Sequence, residues 1–147
     1  MFADFLRRLA NPSAPLPRFD ARLALAALLV RVARADGSYD SREQALIDHV
    51  LQAHHALTLP QAQTLRTEAE ALESEAPDTV RFTREIKDAV PHEEREWVIE
   101  ALWQVVLSDG RRDHEEDTLM RLVANLLGIN DRDCALARQR VEARRSL

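Results

Sequence analysis

A single cysteine, Cys134, stands in 147 residues, so the chain can form no intramolecular disulfide and no multi-cysteine zinc site. Such thiol poverty fits a reducing compartment, and the expected location is the cytoplasm. Glycines number three and aromatic residues make up 5% of the chain. β-Branched residues are few, whereas Ala, Leu, Arg and Glu abound, which favours helix almost throughout. Long apolar runs are also missing. The most apolar stretch, 23–33, is too short to span a bilayer and is interrupted by Arg31. The opening residues 1–9 are amphipathic and include Asp4, unlike the basic start and uninterrupted apolar core of an export signal. Neither a glycine-rich phosphate loop nor a nucleophile elbow occurs. A net charge of −5 argues against nucleic acid as a partner.

What is present suffices for a core. With 46% hydrophobic and 31% charged residues, a chain of this length buries roughly two thirds of its unfolded surface in one domain, without needing a metal to fold. Helical spacing predicts a short first helix over 2–10, then a linker over 11–17 with three prolines. Its Arg7 and Arg8 suit a membrane surface, but a terminal helix laid over the core or left loose is the simpler reading. Asp20 caps a core helix over about 21–35, apolar on nearly every side. A third helix carries Ala45, Leu46, Ile47, Val50, Leu51 and Ala53 and ends near His55. Thr58, Pro60 and Gln61 then supply a cap, an early proline and a capping-box glutamine for a fourth over 59–75. There Leu65, Ala69 and Leu72 face inward, with Glu68, Glu70, Glu73 and Glu75 outward.

A fifth helix carries Val80, Phe82, Ile86, Ala89 and Val90. Pro91 introduces the sixth, the counterpart of the core helix, with Trp97, Val98, Ala101, Leu102, Val105 and Val106 inward and Trp103 as a side anchor. Leu119, Leu122, Val123, Leu126 and Leu127 form a seventh, which Gly128 ends; Asn130 caps an eighth with Cys134, Ala137 and Val141 inward. From Glu68 to Glu100, eleven acids face four bases, a solvated acidic stretch. The last helix is rich in arginine, with Arg132, Arg138, Arg140, Arg144 and Arg145. It lacks the aromatic interleaving of a nucleic-acid surface.

One short element occurs twice. Ala35-Asp36-Gly37-Ser38-Tyr39-Asp40-Ser41-Arg42-Glu43 returns as Ser108-Asp109-Gly110-Arg111-Arg112-Asp113-His114-Glu115-Glu116, shifted by 73 residues. Each copy reads as helix, tight turn, helix. Asp40 and Asp113 are N-caps with Glu43 and Glu116 at the capping-box position, which accounts for these four without any ligand. Asp36 and Asp109 are not so explained, because a carboxylate in a last helical turn opposes the helix dipole. Leu46 matches Leu119 and Val50 matches Val123 at the same shift, while Thr58 matches Asn130 at 72. A three-helix unit therefore recurs over about 21–75 and 92–145, with the fifth helix as the link.

The element matches the latter half of a calcium loop: Asp36 at position five, Gly37 at six, Asp40 at nine and Glu43 at twelve. The first half is missing, since Val32 and Arg34, or Val105 and Leu107, stand where ligands are required. Neither loop alone binds calcium. Together, Asp36, Asp40, Glu43, Asp109, Asp113 and Glu116 would supply a hard-cation shell for Ca2+ or Mg2+, with paired helix caps as the simpler alternative. His49, His54 and His55 do not stack squarely at helical spacing, and surface histidines are favoured over a zinc site. Cys134 has no neighbouring histidine or second cysteine and reads as a small core residue. Tyr39 either covers the neighbouring helix end or rims a partner surface.

The paired Ala/Ser-Asp-Gly-x-x-Asp-x-x-Glu elements, each followed by apolar residues at helical spacing, and the ending Leu126-Leu127-Gly128-Ile129 resemble the TerB-like, tellurite-resistance-associated family over about 21–145. The resemblance implies an all-helical protein. Its members are linked to tellurite resistance or serve as helical modules within other proteins, and their acidic positions fall on Asp36, Asp40, Glu43, Asp109, Asp113 and Glu116. No catalytic residue and no cofactor beyond the cation is implied.

The expected fold is all-α, a compact seven- or eight-helix bundle in one domain over 1–147, made from two pseudo-symmetric repeats. The expected function is a noncatalytic stress-associated or protein-interaction module modulated by a divalent cation; an enzyme using a metal-bound carboxylate site is the alternative. The expected partner is another protein or a membrane-associated complex, which would place the chain peripherally at the inner membrane face, with no transmembrane segment.

Overall fold

In a computed structural model, residues 20–35, 39–75, 79–108 and 114–145 are described, with side chains for all of these except 20, 114–116 and 145. The expected helix over 2–10, the proline linker and the break at 76–78 lie outside the described residues. Seven α-helices follow in order: α1 Asp20–Arg34, α2 Ser41–His55, α3 Leu59–Glu75, α4 Thr79–Ala89, α5 Arg95–Val106, α6 His114–Leu126 and α7 Asp131–Arg145. A 3-10 turn, His92–Glu94, leads into α5, so Pro91 starts a tight turn before the α-helix proper. No strand occurs among the described residues, and no helix there is long and apolar enough to cross a membrane.

α1 is the hub. From Leu23 to Ala33 every side chain but Arg31 is buried, because α2, α3, α4 and α5 pack around it. α5 is the second central helix, touching α1, α2, α6 and α7, with Val98, Ile99, Ala101, Leu102, Val105 and Val106 buried. The two core helices therefore meet as their apolar composition requires.

Helix ends follow local chemistry. Thr58 and Gln61 cap α3 reciprocally: the Thr58 amide donates to Gln61 Oε1 at 2.9 Å and the Gln61 amide to Thr58 Oγ1 at 3.3 Å. The Asp133 amide donates to Asn130 Oδ1 at 2.8 Å at the start of α7. Gly128 closes α6 at φ 78°, and Ala56 closes α2 in the same left-handed region at φ 53° without a glycine.

Three sequence expectations change, and the arginines of the last helix gain partners. Trp97 is only half-buried, whereas Trp103 is buried because its Nε1 donates to the Cys134 carbonyl at 3.1 Å. Leu122 and Val80 face solvent, while Val123 and Leu127 are buried as expected and Met120 and Ala124 join them. In α3, Glu70 and Glu73 are not a solvated face but half-buried ion-pair partners. The arginines of α7 meet acids of their own chain: Arg140 lies 3.7 Å from both Glu96 and Glu100, and Arg144 also pairs with Glu100.

Candidate functional site

The first acidic element leaves α1 at Ala35 and enters α2 through Asp40. Asp40 is extended (φ −109°, ψ 178°) and its Oδ1 accepts from the Glu43 amide at 3.0 Å, the expected N-cap. The cap uses one of the two carboxylate oxygens. Glu43 is buried in the first turn, where exposed amides favour negative charge. Asp36, Asp109 and Asp113 lie outside the described residues, and Glu116 sits in α6 with its side chain likewise outside them. Among the described residues no group of three or more His, Cys, Asp and Glu side chains is placed to hold a metal.

The flanks of the two elements do come together. Arg42, two residues beyond Asp40, and Ser108, immediately before Asp109, line one groove of about 470 Å3. Leu46, His49, Gln104, Val141 and Arg144 complete its lining.

Around the first element lies a polar network that periodicity did not disclose. Tyr39 donates from its hydroxyl to Glu70 Oε2 at 2.5 Å, with its ring 5.0 Å below the Arg34 guanidinium. It covers the neighbouring helices, the first of its two expected roles. Arg66 joins Glu70 at 2.9 Å to the buried carboxylate of Asp48 at 2.6 Å. Arg31 and Arg34 both reach Glu73, and Arg31 extends to Thr79 Oγ1 at 3.3 Å, linking α1, α3 and α4. Burial, then the Glu70 carboxylate, pushes the Tyr39 phenol far above its ordinary range. For Arg66, burial favours the neutral form, but hydrogen bonds to Asp48 and Glu70 outweigh it and hold the charge. The hint in sequence was Asp48, an acid on the apolar side of α2.

A second cluster joins the opposite helix ends. His54 stacks on Trp97 with ring centroids 4.3 Å apart, and His55 meets the same ring edge-on at 6.4 Å. Burial lowers both imidazoles, His55 to about 4, where Arg22 and His54 also oppose protonation. These histidines pack on an aromatic ring, which accounts for them without zinc. Cys134 is buried, and burial pushes its thiol up, in keeping with a core role.

Among the described residues, seven α-helices, one of them capped by Asp40, make an all-α helical module around two apolar hubs. Residues 22–139 match the family model described as tellurite resistance protein TerB, and the chain belongs to that family. No curated protein and no solved structure matches it.

Proposed function

We propose that residues 1–147 form one domain built from two pseudo-symmetric repeats, about 21–75 and 92–145, whose paired acidic elements share one divalent cation. The module is noncatalytic, acts in a stress response of the kind the family description names, and works by engaging another protein or a membrane-associated complex. Its place is the cytoplasm, peripherally at the inner membrane face.

Several correspondences support the repeat. α1 packs on α2 and α3 as α5 packs on α6 and α7, and α1 meets α5 between them. At a shift of 72, the left-handed Ala56 matches Gly128 and the cap Thr58 matches Asn130. The buried Ala62 and Ala69 match the buried Cys134 and Val141, and the ion pair Arg66–Glu70 matches Arg138–Glu142.

The observation that carries the shared site is the common groove of Arg42 and Ser108, which sets the flanks of both elements side by side. Asp40 fits a hard cation with its remaining oxygen, and Asp36, Glu43, Asp109, Asp113 and Glu116 are the further proposed ligands. Ca2+ or Mg2+ would there neutralise acids that otherwise repel one another.

Calorimetry tests this. Asp36→Asn and Asp109→Asn should each weaken Ca2+ binding severely while leaving helicity intact. Glu43→Gln and Glu116→Gln keep a capping acceptor and lose the anionic ligand, so they should also abolish binding. Asp40→Ala and Asp113→Ala should cost about 0.5–2 kcal/mol of stability each even with metal removed. Absence of heat at millimolar Ca2+ and Mg2+ would leave paired caps. Metal-dependent turnover of a small molecule, lost in the same variants, would favour the enzyme.

A further inference from the structure

Three of the chain's four phenylalanines, Phe2, Phe5 and Phe19, precede α1. Phe2, Phe5, Leu6 and Leu9 fall at i, i+3, i+4 and i+7, one stripe of a helix, with Asp4, Arg7 and Arg8 off it. Leu9 lies eleven residues before Asp20, and Pro12, Pro15 and Pro17 favour an extended connection, which at about 3.1 Å per residue reaches roughly 30 Å. That length suffices to turn back over the start of α1. A groove of about 210 Å3 lies there, with Ala21 and Arg22 of the first turn in its lining. Leu25 and Val98 form its buried floor, while Val90 and Trp97 line it and keep part of their apolar surface exposed.

We propose that this groove is the docking site of the chain's own residues 2–10, which pack on it as an amphipathic helix with the Phe5 ring against Trp97. The groove is apolar where the stripe is apolar, and it lies where the chain enters α1. His54 stacks on one face of Trp97 and His55 meets its edge, and the proposed Phe5 contact uses the opposite face. Charge agrees with this occupant. Residues 1–19 carry Arg7, Arg8 and Arg18 against Asp4 alone, and the exposed Asp88, Glu93 and Glu94 stand next to Ala89 and in the turn that leads to Trp97. Asp4 in turn complements Arg22 of the groove. Neither the repeat nor the cation enters this contact.

Nuclear Overhauser contacts in the native chain test this without any variant. Cross-peaks should join the side chains of Phe2, Phe5, Leu6 and Leu9 to those of Leu25, Val90 and Trp97. In Phe5→Asp these cross-peaks should be lost, the Val90 amide and Trp97 indole should shift, and acrylamide should quench Trp97 more readily. The Trp103 indole, held on the Cys134 carbonyl, should stay in place and so report an intact fold. Arg7→Glu/Arg8→Glu should weaken the same cross-peaks by setting acid against acid. Absence of cross-peaks between residues 2–10 and the groove in the native chain, or cross-peaks to another face instead, overturns the proposal. So do cross-peaks that pass between labelled and unlabelled copies in a mixed sample, because they would assign the groove to a second molecule.

Discussion

His55 carries an imidazole against the edge of Trp97, with Arg22 close enough to oppose its protonation and an Nε2 that has no hydrogen-bond partner among the described residues. Folded, it binds a proton near pH 4; unfolded, near 6.5. The unfolded state therefore takes up the proton first on acidification, and stability falls between pH 6.5 and 4. Burial of the neutral ring contributes fully above 6.5 and is lost progressively below it. Urea midpoints across this range should fall more steeply for the native chain than for His55→Gln, and an imidazole titration by NMR should place His55 well below a surface histidine. A normal imidazole pKa, with parallel pH profiles for the two chains, would contradict the account.

At the scale of elements, Arg95 joins two helix ends that lie far apart in sequence. Its guanidinium donates to the carbonyls of Lys87 and Val90, each at 3.0 Å, closing α4, and to that of Leu127 at 3.1 Å, closing α6. Helix C-termini leave carbonyls without partners, and one forked cation satisfies three of them. Arg95→Ala should cost about 2 kcal/mol in chemical unfolding, and Arg95→Lys should recover only part, since an ammonium lacks the planar fork. A loss below about 0.5 kcal/mol for Arg95→Ala would show that water replaces it at no cost. Nothing in the spacing of Arg95 announces this role, because its acceptors are backbone atoms brought near only by folding. The same limit explains Glu70 and Glu73. Sequence placed them on the polar side of α3, but not beside Arg66, Arg31 and Arg34. Caps, by contrast, are local, and Asp40, Thr58, Asn130 and Gly128 end or start helices where their chemistry says they should. The apolar hubs were equally legible, since a helix without a polar face must be enclosed.

Among the described residues, α1 and α5 meet at the centre of the bundle, and α4 packs on α1 and α6. Of the candidate site, the sequence disclosed the doubled acids and the cap, while the groove between their flanks needed the fold, as its lining comes from α2, α5 and α7. The proposed cation would join both elements. The chain's three glycines make this directly readable, since Gly37 and Gly110 sit one in each element and Gly128 lies at the end of α6 as an internal reference. In a 15N-labelled sample titrated with Ca2+ and then Mg2+, the Gly37 and Gly110 amides should move together along one saturation curve at one ion per chain, with Gly128 still. Movement of one without the other, separate curves, or no movement at millimolar concentrations of either cation would contradict it.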